Sequence, residues 1–350
     1  MPFTVQELEH ISNLTLDNHL RGEIHLQNVQ DKPLLRKLLA AKGPLLPGKE
    51  LITKRVKGDY SGDIQGFSHD DEVGYHNPAN VKVAHYKWYE LHEGIMFTGT
   101  ELKTHGITVV DSTTGKNTVQ ASDAEKVALG DLLDDKMEDL SESWAIGMNK
   151  MFWLDGAQDA KKVPGVRSMI LDDPSAAITV AGIDQANVPW WRNRAKLGIT
   201  ASAGNAADQV LVKSMNREHR QLRRYGKAPN CLLAGSDWLD QVENELRAKG
   251  EYTNSGWAER GSIEVGVEDG KLKGTKFEYD PTLDDMGLEK YCFALDIRKK
   301  NLHPLVMPGD DMKQHNPARP ENKYVYFRAV TWTGALVTWQ RNNQGVYSIN

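Results

Sequence analysis

The chain has 350 residues, of which 39% are hydrophobic and 26% are charged, and its formal net charge is −5. This composition predicts a globular protein with at least two sub-structures and argues against a disordered chain. A protein that mainly binds nucleic acid is usually basic overall, so the acidic balance argues against that class.

The first 50 residues predict an irregular arm with short helical pieces. The opening sequence MPFTVQELEHISNL lacks both the basic start and the apolar core of a signal peptide. Lys32–Ala41 has the spacing of a short amphipathic helix, which Gly43 and Pro44 end. No apolar run in the sequence reaches the roughly 18–20 residues that a membrane helix needs, so no membrane partner is expected.

Residues 51–110 predict short strands around a polar, glycine-rich tract, Lys57–Asn80. β-Branched and aromatic residues concentrate in Val81–Phe97, which is typical of strands. Together these parts predict an extended hairpin. Because an isolated two-stranded ribbon is marginally stable in water, we expect this hairpin to need a partner surface, which another subunit can provide. The candidates for contacts between subunits are Trp88, Tyr89 and Phe97.

The clearest predicted element is a long helix that begins at Ser122 and runs to Phe152. Ser122 and Glu125 have the spacing of a capping box, which marks a helix start. Apolar residues then recur every three or four positions, at Leu133, Met137, Leu140, Trp144, Met148 and Met151. At 1.5 Å per residue this helix would be roughly 45 Å long, more than a small compact domain requires.

A mixed α/β unit follows the tryptophan pair at positions 190 and 191. Asn205 is the predicted cap of a helix that runs to Tyr225, and Ser236 or Asp237 caps a second helix. The segment Pro229–Ala234 between these helices predicts a short buried strand. The polar, proline-rich residues 308–323 predict a loop, which supplies a fourth candidate for contacts between subunits, Arg319.

The chain ends in strand-forming sequence, Tyr324–Ile349, which is rich in Val, Tyr, Phe, Thr and Trp. Both faces of its first part are apolar, which predicts a strand buried on two sides. Gly334 interrupts this run, and Asn342–Gly345 predicts a turn before the final strand. The last residues therefore complete a core that earlier segments begin.

This order of elements resembles the Hong Kong 97-type shell fold of the major capsid proteins of tailed bacteriophages, over nearly the whole chain. The resemblance implies an α+β fold made of an N-terminal arm, an extended β-hairpin loop, a peripheral domain with a long spine helix, and an axial domain. In this sequence the implied parts are the arm at 1–50, the extended loop at 51–110, the peripheral domain at 111–189 with its spine helix at 122–153, the axial domain at 190–295, and the return strands at 296–350 with the polar loop at 308–323.

The resemblance also implies a function without catalysis and without a cofactor. The subunit would assemble into the hexamers and pentamers of an icosahedral shell, built as a procapsid that expands when double-stranded DNA is packaged. The implied partners are other copies of the chain, a portal, a separate scaffolding protein, a decoration protein and the packaged DNA, which is bound without sequence specificity. The implied location is the virion capsid, with assembly in the host cytoplasm.

The motifs for catalysis or metal binding are weaker signals than this order of elements. Gly43–Lys49 matches the start of a phosphate-binding loop, but Glu50 replaces the hydroxyl residue, and two prolines remove backbone donors. Cys231 and Cys292 lie far apart without zinc-ligand spacing, which argues against a zinc site or a disulfide framework. The sequence therefore predicts no catalytic, cofactor-binding or metal-binding residues.

Two clusters of polar residues are candidate sites. Five histidines occur at odd spacings, which places neighbours on opposite faces of a strand and favours surface histidines over metal ligands; they are His69, His76, His85, His92 and His105. The basic run Asn216–Lys227 fits either a phosphate-contacting face or a helix end whose cations favour the helix dipole, and the second interpretation is favoured.

Three other functions stay open from the sequence. An encapsulin-like compartment shares the implied fold and would load cargo without packaging machinery. A hydrolase or nucleotide-using enzyme would assemble its site from scattered loops and form a small oligomer. A phage tail or connector protein would form tubes or rings instead of closed shells.

Overall fold

The computed structural model describes residues 30–98, 123–248, 271–315 and 325–350 together with positions 100 and 104, except for positions 46, 47, 49, 59, 61, 63 and 76–79. By contacts between Cα atoms the chain divides into Met1–Asp31 and Lys32–Asn350, and every element named below belongs to the second unit. Within the described ranges, no helix is both long and apolar enough to cross a membrane.

The helices are α1 (Pro33–Ala40), α2 (Asp123–Trp153), α3 (Val166–Met169), α4 (Val210–Arg223), α5 (Ser236–Ala248) and α6 (Pro281–Asp285). Two 3₁₀ helices cover Pro189–Trp191 and Ala203–Asp208. The strands are β1 (Gly43–Pro44), β2 (Leu51–Lys57), β3 (Val81–Lys87), β4 (Tyr89–Thr98), β5 (Thr179–Val180), β6 (Ile183–Asp184), β7 (Arg194–Ile199), β8 (Cys231–Ala234), β9 (Lys271–Leu272), β10 (Thr275–Tyr279), β11 (Tyr291–Leu295), β12 (His303–Val306), β13 (Lys313–His315), β14 (Val325–Val337) and β15 (Gly345–Ile349).

The 13-residue strand β14 is the centre of a five-stranded sheet. β4 pairs antiparallel along one edge of β14, from Tyr89 opposite Gly334 to Thr98 opposite Val325. β12 and β13 pair antiparallel with the other edge, and β1 runs parallel to β12. α1 contacts β12, and α2 contacts both α1 and β4, so these two helices lie against this sheet.

The second large sheet has six strands in the order β7-β15-β11-β8-β10-β9 and mixes parallel with antiparallel pairs. β8 shows how its two faces are covered. Cys231 and Leu233 belong to the main core, whereas the alternate residues Leu232 and Ala234 belong to a second core beneath α4 and α5. Because successive side chains of a strand point to opposite faces, β8 is buried on both sides, which explains its continuous apolar sequence.

Residues 338–344, which we call the C-terminal connection, join β14 of the first sheet to β15 of the second. The buried carboxylate of Asp296 accepts a hydrogen bond from the Asn343 side chain at 2.8 Å. The side chain of Gln344 accepts one from the Asp296 amide, also at 2.8 Å. Asn343 and Gln344 are both fully buried, so these bonds hold the connection inside the structure.

Arg341 lies at the middle of the C-terminal connection and is completely buried. Its guanidinium donates to the backbone carbonyls of Met169 (2.7 Å) and Trp191 (3.2 Å). It also donates to the side-chain oxygens of Gln185 and Asn193, each at 3.1 Å. Burial lowers the pKa of Arg341 to about 10, because the charge is removed from water and meets only neutral acceptors here.

The long helix predicted from Ser122 to Phe152 is present as α2, Asp123–Trp153. Leu140, Trp144 and Met148 of its predicted apolar stripe are buried. Ser122, the predicted cap, lies outside the described residues. The role of α2 as a spine stays a prediction.

Two local predictions were wrong. Asn205 does not cap α4, because Gln209 adopts a left-handed conformation (φ 53°) and separates the 3₁₀ helix from α4. Gly334 does not interrupt β14, since it pairs with Val306 inside the strand. A side chain there would lie 2.5 Å from the carbonyl oxygen of Leu305, so glycine allows two backbones to approach closely.

The start of α4 is capped from a neighbouring helix. Gln209 makes no side-chain capping bond. Instead, the two oxygens of Glu245 in α5 accept hydrogen bonds from the backbone amides of Leu211 and Val212, each at 2.8 Å. Glu245 is completely buried, so its carboxylate satisfies two backbone donors that water cannot reach.

We expect Glu245→Gln to lower the free energy of unfolding by about 1–3 kcal/mol, because the amide keeps one acceptor and sets an NH₂ group against the other backbone donor. The matched control is Glu243→Gln on the same helix, where the carboxylate is partly exposed and pairs with Arg247 at 3.0 Å. This control should change stability by less than about 0.5 kcal/mol. Urea unfolding of both variants makes the comparison, and equal losses would contradict the capping role.

Candidate functional site: the exposed hairpin

Strands β2 and β3 form an antiparallel hairpin that stands apart from the two large sheets as its own two-stranded sheet. The register pairs Leu51 with Lys87 and Lys57 with Val81. The amide of Gly58 then donates to the carbonyl of Asn80 at 3.1 Å, which closes the ladder. We call residues 58–80 the hairpin loop; they carry no further strand among those described.

One face of the hairpin is buried in the body of the same chain. Ile52 and Val56 of β2 and Ala84 and Tyr86 of β3 are buried and belong to the main core. Val81 and Val83 lie on the opposite face of β3 and are exposed, which follows from the two-residue period of a strand. The base of the hairpin is therefore part of the folded unit.

The Tyr86 side chain anchors this base to the C-terminal connection. Its hydroxyl donates to the carbonyl oxygen of Thr338 at 2.7 Å and accepts from the Thr338 amide at 3.2 Å. Its ring meets the Trp339 ring edge-on, with 5.5 Å between centroids. Burial raises the pKa of Tyr86 well above its ordinary value, so the phenol stays protonated and keeps its donor.

Trp339 also makes a cation–π contact in the same region. The ammonium nitrogen of Lys54 lies 4.8 Å from the ring centroid. Burial, and then the positive charge of Lys300, lowers the pKa of Lys54. Such contacts contribute about 0.5–2 kcal/mol, so they add to the Tyr86 anchor without replacing it.

The hairpin loop exposes large apolar side chains. Ile64 is 99% exposed, Tyr75 96%, Tyr60 77% and Phe67 71%, and these are the four most exposed large apolar side chains in the described part of the chain. Single exposed apolar residues are ordinary, but a concentration in one segment marks a surface that contacts another molecule. The hairpin loop is therefore our candidate functional site.

The contact candidates predicted from the sequence lie elsewhere. Trp88 and Tyr89 are half-buried and lie against the main core of their own chain. Phe97 is in β4, opposite Tyr326 of β14. Arg319 lies outside the described residues. None of the described three belongs to the hairpin loop, and their contacts with other subunits stay predictions.

The sequence did contain a signal for the exposed residues. Tyr60, Ile64, Phe67 and Tyr75 are large apolar residues in a polar tract, where glycines at positions 58, 62, 66 and 74 argue against a regular helix or strand. Reasoning from sequence pattern favours residues in strand-like sequence, such as Trp88 in Val81–Phe97, and passes over residues in polar tracts. Large side chains without a local core are themselves an indication of a contact surface.

In the described part of the chain, the polar motifs do not assemble into a site. The described residues contain no group of three metal-ligating side chains. Of the five histidines, His69 is exposed in the hairpin loop, His85 and His92 lie in different strands, and His76 and His105 fall outside the described residues. Gly43–Pro44, the start of the phosphate-loop match, forms strand β1.

Comparison by sequence finds no matching protein-family model and no matching curated protein. Solved structures do match. One is a chain from the capsid asymmetric unit of Cyanophage A-1(L), with a TM-score of 0.67 and 15% identity, covering 93% of this chain and 94% of that one.

Two further matches have the same character. A chain from the capsid of Myoviridae phage XM1 has a TM-score of 0.53 and 10% identity and covers 100% of this chain and 99% of that one. A chain from the capsid of cyanophage P-SCSP1u has a TM-score of 0.54 and 10% identity, with 94% and 91% covered. At these identities the likeness establishes the fold alone, and it confirms the predicted α+β capsid fold of tailed bacteriophages.

We expect Tyr86→Phe to lower the free energy of unfolding by about 1–2 kcal/mol, because both backbone groups of Thr338 lose a buried hydrogen-bond partner. Denaturant unfolding followed by tryptophan fluorescence measures the loss. Tyr225→Phe is the matched control, since that side chain is 49% exposed. If the two variants unfold at the same denaturant concentration, the hydroxyl of Tyr86 does not anchor the hairpin.

Proposed function

We propose that this chain is the shell subunit of a tailed-bacteriophage capsid and that many copies assemble into a closed icosahedral particle. The observation that carries the proposal is the hairpin loop, whose large apolar side chains are exposed to water in the single chain. The likeness to capsid chains extends over at least nine-tenths of both partners, which supports the same kind of role for this chain.

Assembly follows from the energetics of these side chains. Each large apolar side chain that passes from water into a contact contributes about 1.5–3 kcal/mol. Ordering the hairpin loop and losing free movement offset much of that gain, so a single contact is weak. A closed shell repeats the contact in every subunit, and the sum then stabilises the particle.

The domain boundaries predicted from the sequence are part of the proposal. The 31 residues of α2 give a rod of roughly 45 Å, which suits a rigid spine across the peripheral domain. Five strands of the six-stranded sheet, with α4 and α5, correspond to the proposed axial domain at 190–295, and β15 from the return strands completes that sheet. The hairpin corresponds to the extended loop at 51–110, while β4 from the same range completes the sheet around β14.

The proposed organisation includes hexamers and pentamers, a portal, a separate scaffolding protein and a decoration protein, with assembly in the host cytoplasm and a final place in the virion. Packaged double-stranded DNA would touch the inner surface without sequence specificity. The net charge of −5 supports weak contact, because a strongly basic wall would bind the DNA backbone tightly. The proposal assigns no catalytic activity to the chain.

Trp88, Tyr89, Phe97 and Arg319 remain proposed contact residues. Trp88 and Tyr89 also pack against the core of their own chain, so their substitution would lower folding stability as well as assembly. Ile64 and Tyr75 touch almost nothing in the single chain and allow the two effects to be separated.

We expect the double variant Ile64→Ser, Tyr75→Ser to fold with unchanged stability and to lose closed particles at concentrations at which the wild-type chain forms them. The stability is kept because both side chains are already exposed, and the particles are lost because the apolar contact is gone. Circular dichroism and thermal unfolding check the fold, and negative-stain microscopy with sedimentation velocity checks assembly.

The matched control is Ile178→Ser, Tyr225→Ser, which removes the same residue types from exposed positions outside the hairpin, where they are 45% and 49% exposed. This control should assemble like the wild type. Normal shells from the loop variant would contradict the proposal. Tubes, rings or a small oligomer from the wild-type chain, expressed with its genomic neighbours, would favour a tail protein, a connector or an enzyme instead.

A further inference from the structure

A concave groove of about 770 Å³ lies beside the carboxyl end of α4, and none of its described lining residues belongs to the β2–β3 hairpin. Its cationic lining residues, which define what we call the basic groove, are Arg223, Lys227, Lys273, Lys276 and Arg298. They come from four places in the chain: the end of α4, the segment after it, the β9–β10 hairpin and the segment after β11. The fold therefore brings together cations that lie far apart in the sequence.

The acidic residues near the basic groove are already paired. Glu278, its one carboxylate among the described lining residues, lies 2.6 Å from the Lys37 ammonium nitrogen. Arg298 pairs with Asp296 at 2.6 Å. By contrast, the described residues include no ion-pair partner for Arg223, Lys227 or Lys273. The basic groove therefore keeps positive charge that nothing described in the chain neutralises.

The helix dipole does not account for this arrangement. It favours Arg223 at the end of α4, but it does not place Lys273, which belongs to a separate hairpin. Lys273 (φ 51°) and Gly274 (φ 95°) form the two-residue turn between the paired residues Leu272 and Thr275. Asn, Asp or Gly normally fill the first position of such a turn, so a lysine there is not explained by the turn itself.

A buried histidine, His219, forms part of the wall of the basic groove. His219 lines the groove and is only 9% exposed, and its Nε2 atom has no hydrogen-bond partner among the described residues. Burial lowers the pKa of His219, and the charges of Arg223 and Lys273 lower it further. The positive potential of the two cations therefore extends to the wall of the groove.

We propose that the basic groove binds phosphate oxyanions, carried either by a free polyphosphate or by the backbone of a nucleic acid. Guanidinium and ammonium groups form charge-assisted hydrogen bonds with phosphate oxygens. The volume of the groove falls within the roughly 300–1,000 Å³ of small-ligand sites, and its separated cations fit an anion with several charges. A concave surface lined by one sign of charge also concentrates ions of the opposite sign.

The test is calorimetric titration of the full-length chain with inorganic triphosphate and, in a second arm, with a short DNA duplex. We expect the groove variant Arg223→Gln, Lys227→Gln, Lys273→Asn to bind at least about tenfold more weakly than the wild type, because three charge-assisted contacts are lost. Binding of triphosphate identifies a free polyphosphate as a ligand, and variant-sensitive binding of the duplex alone identifies the nucleic-acid backbone.

The matched control is Lys213→Gln, Arg217→Gln, Arg220→Gln, which removes three exposed cations of α4 that do not line the groove. Its affinity should stay within about twofold of the wild type, because exposed charges outside the site are screened. Lys273→Asn alone keeps the proposal testable if the triple variant unfolds, since asparagine accepts the left-handed conformation. No binding to the wild type, or equal losses in the groove variant and the control, would overturn the proposal.

Discussion

The paired hydrogen bonds between the Tyr86 hydroxyl and Thr338 determine where the hairpin leaves the body of the chain. Thr338 opens the C-terminal connection, which joins the two large sheets and is held by the buried Arg341. The hairpin is therefore fixed to the same residues that fix the sheets to each other. These bonds hold the base of the hairpin in one position. The hairpin loop beyond the base is exposed as a consequence.

This arrangement separates folding from assembly. The base of the hairpin contributes Ile52, Val56, Ala84 and Tyr86 to the main core, whereas no described residue of the hairpin loop belongs to it. A side chain such as Ile64, which is 99% exposed, adds no stability to the single chain. All of its apolar surface can still be buried in a contact with another molecule. In the proposed shell, the chain can fold first and gain these contacts only when copies meet.

Sequence reasoning succeeded where the signal is local. The capping pattern and apolar spacing located α2 to within one residue at each end, and the dense β-branched and aromatic residues located β14. It failed where residues far away in the sequence determine the local structure. Nothing near Gln209 indicates that Glu245, on another helix, caps α4, and nothing near Gly334 indicates the close carbonyl of Leu305. The exposed loop residues were missed because they lie in a polar, glycine-rich tract and not in a predicted strand or helix. The basic groove was missed because its cations come from four segments.

The most direct test of the account is an electron cryomicroscopy map of the particles that the wild-type chain forms, at a resolution that shows side chains. The account predicts closed shells in which the hairpin loop of each subunit lies against a neighbouring copy, with Ile64 and Tyr75 buried between them. Shells in which both side chains remain in solvent would contradict the central claim, because assembly would then depend on another surface. A wild-type chain that forms no closed particles, even with its genomic neighbours, would contradict the shell function as well.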